Sequence, residues 1–405
     1  MAADHTTLQV DIAIFGGGIA GLWILARLRK LGYSAILLEV DTLGAGQTHY
    51  AQGIIHGGTK YALTGSMGAS ANAVTNMPEV WRTCLLGKGE LDLHEVKLLS
   101  PYQYLWSTQQ LSSRIAGFFA SHLMRSRTQP LTGNERPAVF QNPRFNGQVY
   151  RLEEPVLDTA SLVKALAKPH ELAIWSIAGP QSVTFTQHAS GLMPSIGLHN
   201  KEGHSVQQLS AKQIIFAAGK GNQSLLNNLG RTTPTMQLRP VHMVMLRGPL
   251  PTDVYAHCIG MTDKPRITIT SHTDRQGQPV WYLGGQLAED GVQLDSREQI
   301  AAAQHELGTL VPWLEFDQMQ WASLLVDRAE PYQPGGKRPD NAFAEEQNGI
   351  ITVWPTKLAL APHLAQLVVN LLAKNGIEPG ALESLPDWPF PGYAQLPWQE
   401  ESAWN

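Results

Sequence analysis

Gly16, Gly18 and Gly21 stand in G-x-G-x-x-G spacing within the run Val10-Asp-Ile-Ala-Ile-Phe-Gly-Gly-Gly-Ile-Ala-Gly-Leu22. The apolar half of that run reads as a buried strand, and the glycines open a helix. The first glycine permits a tight turn. The second lets backbone approach a pyrophosphate, and the third lets helix and strand pack closely. Free N–H groups and the positive end of the helix dipole then face the phosphates. A second apolar strand, Ala35-Ile-Leu-Leu38, ends in Glu39. This acid lies about 20 residues past the glycines, where a carboxylate accepts hydrogen bonds from a ribose. Together these residues predict a bound adenine dinucleotide.

The rest of the composition narrows the chemistry by exclusion. The 405 residues carry a net charge of −4, with no basic footprint for nucleic acid. Cys84 and Cys258 are the two cysteines, too far apart for a redox or metal spacing, and no His or Cys pair suggests a metal. Ile12 to Ala26 is apolar but too short and glycine-broken to span a membrane. The first ten residues lack the pattern of a secretory leader, so a cytoplasmic protein is expected.

The elements that must position the glycine turn follow in order. The first helix continues through Trp23, Leu25 and Leu28 to Lys30, with Gly32 as its stop. Helices are expected near Ser70–Leu86, over Leu111–Arg127, from an Asp158 cap to Leu166, near Glu298–Leu310 and over Leu358–Leu372. Strands are expected over Glu95–Trp106, 148–152, Ala173–Ile177, Ser182–Thr186, Met193–Leu198 and 213–219. Others follow at Val241–Leu246, Arg266–Ile269, Val280–Leu283, Ser323–Val326 and Gly349–Val353. Nucleotide-type α/β pieces thus appear at the start, middle and end, with strand-rich pieces between them. The expected fold is α/β (α+β overall): a Rossmann-type domain, discontinuous in sequence, with an inserted β-sheet domain.

Four stretches resemble the FAD-dependent oxidoreductases of the D-amino-acid oxidase superfamily, which includes sarcosine and glycine oxidases and aerobic glycerol-3-phosphate dehydrogenases. One is the glycine motif with Glu39. Another is Gly46-Gln-Thr-His-Tyr-Ala-Gln-Gly-Ile-Ile-His-Gly-Gly-Thr-Lys-Tyr61, similar to the loop that lies along the flavin. Its His56-Gly57-Gly58 with Lys60-Tyr61 resembles an HGG-x-R-Y stretch, with lysine for arginine. The third is Pro155-Val-Leu-Asp-Thr159 with Ala217-Ala-Gly219. The last is Trp354-Pro-Thr-Lys-Leu358, in the place of the C-terminal flavin-contacting turn, although Trp354 and Pro355 stand where small residues are common.

The resemblance implies FAD, held by Gly16, Gly18, Gly21, Glu39, Gln47, Thr48, Gln52, Gly53, Gly219, Thr356, Lys357 and Leu358. It places 1–86, 153–233 and 328–380 in the FAD-binding domain, 87–152 and 234–327 in a substrate domain, and 381–405 in a tail that packs as an extended strap. It implies that Lys357 lies near flavin N1 and the C2 carbonyl, where a cation stabilises the charge of reduction; Thr356 would cap the last helix. Lys60, Tyr61, His242 and Arg328 are expected to meet a small anionic substrate, with Lys357, Arg328 and Lys60 the catalytic candidates. For Arg328, flanked by Asp327 and Glu330, a structural ion pair is the competing role; Arg239 and His242 compete with ordinary polar roles. His49 lies near the position where some relatives bind FAD covalently, but its spacing to Gly53 fits them poorly, so FAD is expected to be non-covalent.

The implied reaction is oxidation of a C–N or C–OH bond, with oxygen, a quinone or a partner protein as electron acceptor. Ile115–Arg127 could contact a membrane peripherally; a helix covering the inserted sheet is the favoured reading. The competing functions are an NAD-linked dehydrogenase and a non-catalytic flavoprotein subunit.

Overall fold

A computed structural model describes residues 7–57, 74–111, 128–188, 193–200, 203–260, 264–381 and 384–404. The first strand, Leu8–Phe15, lies inside the first sheet between Ser205–Phe216 and Ala35–Glu39. The order across the sheet is Phe343–Gln347, Ile350–Trp354, Ser205–Phe216, Leu8–Phe15, Ala35–Glu39 and Ile174–Ser176. The inner pairings are parallel, and Phe343–Gln347 joins the edge antiparallel to Ile350–Trp354. Val183–Thr186 and Ser195–His199 pair beside the polar half of Ser205–Phe216.

A parallel sheet covered on both faces needs apolar residues at every position of its strands rather than at alternate ones. The first strand obeys this from Ile12 to Phe15. Ile12 and Ile14 pack on one face with the helices Ile19–Lys30, Thr159–Ala167 and Ala361–Lys374. Ala13 and Phe15 pack on the other with Ile196, Leu198, Phe216 and Leu225. Asp158 caps its helix as expected, accepting from Ser161 N–H at 2.7 Å.

The second sheet has the order Gln320–Val326, Val241–Arg247, Pro279–Gly284, Pro265–Thr273, Ala256–Ile259, Gln103–Trp106, Val149–Leu152 and Thr128–Leu131. One face is covered by the helix Ser296–Leu310, whose Ala303 and Leu307 pack against Val244, Leu246, Ile267, Ile269 and Leu283. The Asp295–Glu298 capping box starts that helix. The opposite face carries Met243, Met245 and Tyr282. It meets the loop that follows Glu39.

Some elements differ from expectation. The extended stretch to Trp106 is two strands, Leu98–Ser100 and Gln103–Trp106, separated at Pro101. The described helix within Ser70–Leu86 is Met77–Leu85, with Pro78 in its first turn, where the missing N–H costs nothing. Met236–Leu238 pairs with Ala329–Pro331 as a separate ribbon before Val241 begins the second sheet. The expected helix over Leu111–Arg127 lies almost wholly outside the described residues. Among the described residues no helix is long and apolar enough to cross a membrane, and no side-chain cluster suits a metal ion.

Candidate active site

Strand ends build the site. Gly16 leaves the first strand at φ 110°, and a Cβ there would stand 2.6 Å from Ala217 O. A Cβ on Gly21 would stand 1.8 Å from Gly16 O. Only glycine permits this approach of helix, turn and neighbouring strand. Gly18 is the N-cap of the helix, and the next amide, Ile19 N–H, donates to Thr48 Oγ1 at 2.9 Å. Glu39 closes the second strand end. Its carboxylate accepts from Gly17 N–H and, at 2.7 and 2.9 Å, from the N–H groups of Val40 and Asp41. Burial raises its pKa; these three amides pull the other way. A side-chain-free turn, a helix N-terminus and a carboxylate on the adjoining strand end are the donors and acceptor that a dinucleotide requires, so the residues fit such a cofactor.

The loop after Glu39 crosses to the second sheet. Gln47 Oε1 accepts from Ala329 N–H at 3.1 Å. Gln52 Nε2 donates to Tyr282 O at 3.0 Å, and the Tyr282 hydroxyl donates to Tyr50 O at 3.2 Å. Gly53, at φ 73°, exchanges backbone contact with Leu157, and a Cβ would lie 2.0 Å from Leu157 O. That contact accounts for this glycine without a ligand. Burial drives His49 down to about 4, so its ring is neutral at ordinary pH.

Further along the loop, His56 Nδ1 lies 3.7 Å from Glu154 Oε2, and its ring stacks on His257 at 5.3 Å. Glu154 also accepts from Gly57 N–H at 2.7 Å and from Gln103 Nε2. His257 Nδ1 and Thr268 Oγ1 are 2.7 Å apart. Sequence reasoning missed Glu154 and Gln103. They lie about 50 residues apart in the chain and gather only when the second sheet closes on the loop.

The turn after Ile350–Trp354 is the sharpest feature of the site. Lys357 N–H donates to Pro355 O at 2.7 Å, closing a three-residue turn around Thr356 at φ 60°. A β-branched residue at positive φ is strained, and such strain gathers at functional sites. Thr356 does not cap the helix as expected. Its hydroxyl donates to Asn341 O at 3.1 Å, and Lys357 itself is the N-cap of the short helical turn Leu358–Leu360. Lys357 is 8% exposed rather than solvated, and its Nζ donates to Asp340 O at 3.0 Å. Trp354 Nε1 donates to Gly219 O at 3.1 Å. Asn222 receives Ala218 N–H and donates to Val353 O, tying two strand ends together.

Arg328 sits in an ion network. Its guanidinium donates to Glu289 Oε1 at 3.3 Å and to Arg239 O at 3.1 Å. Arg239 forms two bonds to the fully buried Glu330 and a third to Glu289. Lys264 completes the group on Glu289. Asp327 turns away to Lys220. Burial, with repulsion from Arg239 and Arg338, lowers Arg328 to about 10 against the pull of Glu289 and Glu330.

His242 lies on the helix-covered side of the second sheet, its nitrogens within 3.0 Å of Gly291 O and 2.9 Å of Ser323 Oγ. Strand alternation carries it away from the Met243 and Tyr282 face, and both ring nitrogens have partners within the protein, which fits the ordinary polar role. Lys60 and Tyr61 lie outside the described residues.

Strand ends that fit a dinucleotide, facing a second sheet across a linking loop, are the arrangement of a nucleotide-dependent oxidoreductase. Residues 11–352 match the model of one such family, described as FAD dependent oxidoreductase. A probable FAD-dependent oxidoreductase of Pseudomonas aeruginosa is 45% identical over 393 residues, covering 97% of this chain and 98% of that protein. The crystal structure of the FAD dependent oxidoreductase from Pseudomonas aeruginosa superposes with a TM-score of 0.84 at 41% identity, covering 97% of this chain and 98% of its own. Two more distant structures share the fold. Glycine oxidase from Geobacillus kaustophilus has a TM-score of 0.63 at 17% identity, covering 94% of this chain and 99% of its own. L-alpha-glycerophosphate oxidase from Mycoplasma pneumoniae, with FAD bound, has 0.61 at 14%, covering 95% and 98%. The chain belongs to the FAD dependent oxidoreductase family. FAD is its cofactor, which sets aside the nicotinamide-linked reading, and the family it belongs to is one of oxidoreductases.

Proposed function

We propose that this enzyme oxidises a C–N or C–OH bond of a small anionic metabolite by hydride transfer to non-covalently bound FAD. The observation that carries this reading is that two cations are largely buried, Lys357 at the end of the first sheet and Arg328 next to Ala329, whose N–H donates to the loop residue Gln47. Bound FAD supplies a two-electron acceptor, and the chain supplies position and charge. Gly16, Gly18, Gly21 and Glu39 hold the nucleotide half, with Thr48 at the helix mouth. Gln47, Gln52, Gly53, Gly219, Thr356 and Leu358 line the path toward the reacting end. Lys357 stabilises the negative charge that reduction places at the pyrimidine side of the ring. Arg328, with Lys60, draws the anionic group of the substrate.

The network around Arg328 supports the anion preference. Three cations, Lys264, Arg239 and Arg328, meet two carboxylates, Glu289 and Glu330. Arg239 and Arg328 are largely buried while Lys264 is 45% exposed, and the excess of one positive charge attracts an arriving anion. Proteins of this fold include a glycine oxidase and a glycerophosphate oxidase, which supports keeping amines and alcohols together as candidate substrates. The division into 1–86, 153–233 and 328–380 around the cofactor, with 87–152 and 234–327 over the substrate, is part of this reading; sheet membership supports it.

Anaerobic mixing of the yellow protein with anionic amines and 2-hydroxy acids tests the proposal. Bleaching of the flavin by one class identifies the bond oxidised. Reoxidation by air, a quinone analogue or a partner protein then identifies the acceptor. Release of FAD on denaturation tests the non-covalent reading.

A further inference from the structure

The C-terminal strap, residues 384–404, lies beyond the stretch that matches the family model. It touches both sheets. At its start Trp388 stacks on Trp175 at 4.8 Å and 15°, and its Nε1 donates to Ser176 O at 2.8 Å, on the edge strand of the first sheet. At its end Glu401 pairs with Arg247 of the second sheet through two bonds, and that guanidinium lies 4.6 Å from the Trp404 ring centre.

Between these anchors the strap meets the cofactor loop repeatedly. Leu43 N–H donates to Gly392 O at 2.9 Å, and Ala394 N–H donates to Leu43 O at 3.0 Å. Glu400 Oε1 lies 4.0 Å from His49 Nε2. Trp398 stacks on His272 at 3.8 Å and packs on Tyr282, whose hydroxyl holds Tyr50 O. Leu43 and Tyr50 bracket Gln47 and Thr48. Both ends of the segment that carries Thr48 to the Ile19 amide are therefore fastened, directly or through Tyr282, to the strap.

We propose that the strap is a clasp that retains FAD, with Ala394 and Trp398 as positioning residues for the loop at the mouth of the first helix. It rests on FAD binding alone, not on any choice of substrate. A loop free to leave that mouth must be ordered each time the cofactor binds, and the ordering cost appears as lost affinity. A loop already held down avoids most of that cost.

The test is the FAD dissociation constant of stripped, refilled full-length protein, measured by flavin fluorescence beside the thermal midpoint of the FAD-free form. Trp398→Ala and Ala394→Pro are expected to weaken FAD binding about tenfold or more, while Trp398→Phe restores most of it. Leu307→Ala, in the helix behind the second sheet, serves as a control for stability loss alone. It lowers the FAD-free midpoint and leaves FAD affinity near that of the unaltered chain. Equal loss of affinity in the control and the strap variants, or unchanged affinity in both strap variants, overturns the proposal. Failure of the unaltered protein to take up FAD contradicts the cofactor assignment instead.

Discussion

The Lys357 ammonium donates to the backbone carbonyl of Asp340 at 3.0 Å, at a strand end where the preceding Thr356 is held at φ 60°. A carbonyl partner is neutral, so this bond does not cancel the charge of the ammonium. Replacing it by Met is expected to lower the midpoint potential of the bound flavin by about 30–60 mV, since 30 mV in a two-electron couple corresponds to roughly 1.4 kcal/mol. Sulfite, which adds to the flavin and leaves the same negative charge, should bind more weakly. An unchanged potential and sulfite affinity in Lys357→Met would reduce Lys357 to a tie for the Asp340 loop.

Two glycines separate backbone fit from ligand contact. Gly21→Ala forces a methyl to within 1.8 Å of Gly16 O, at the turn proposed to hold the dinucleotide. Gly53→Ala forces one to within 2.0 Å of Leu157 O, in the loop beyond it. Each is expected to cost on the order of 3 kcal/mol or more. Gly21→Ala should in addition abolish FAD uptake in whatever protein folds. Circular dichroism with flavin absorbance checks both. Normal FAD content in folded Gly21→Ala would contradict the placement of the cofactor.

The residues explain how much of this could be read in advance. The strand–turn–helix at Leu8–Lys30, the Asp158 cap and the Asp295-started helix rest on local spacing and capping, which act within one or two turns. Phe343–Gln347 was not legible. Its Glu345 and Glu346 break any apolar pattern, and it is a strand only because Ile350–Trp354 offers an edge to pair with. Lys357 was legible as a cation at a helix start, yet the turn before it was not. Nothing in Trp-Pro-Thr-Lys announces a threonine at positive φ, which is imposed by Asn341 and the Pro355–Lys357 closure. His242 has two competing roles in the sequence because alternation gives two faces without saying which face a helix covers. Gln103 and His257 lie on strands far apart in the chain, and Glu154 lies just after Val149–Leu152, so their meeting at His56 is a product of tertiary closure.

The network at Glu289 makes stability depend on pH. Burial alone would raise its pKa, but Lys264, Arg328 and Arg239 outweigh that and hold it at about 2. A carboxyl with a depressed native pKa contributes stability above its ordinary value near 4.5, and that contribution is lost as pH falls toward about 2. Glu289→Gln should therefore be less stable than the unaltered protein at pH 7 by about 1–3 kcal/mol, allowing for partial solvent screening. The deficit should shrink below pH 4.5. Denaturant unfolding at pH 7 and pH 3.5 measures it, and a deficit that is the same at both would contradict the ion network as drawn.

In the proposed reaction a small anionic amine or alcohol delivers hydride to FAD. Anaerobic stopped-flow absorbance of the FAD-loaded protein, mixed with anionic amines and 2-hydroxy acids, tests it most directly. Single-turnover bleaching of the oxidised flavin band is expected with at least one anionic compound, and little or none with its neutral ester. Bleaching by neutral compounds alone, or none across the panel while dithionite still reduces the flavin, would contradict it.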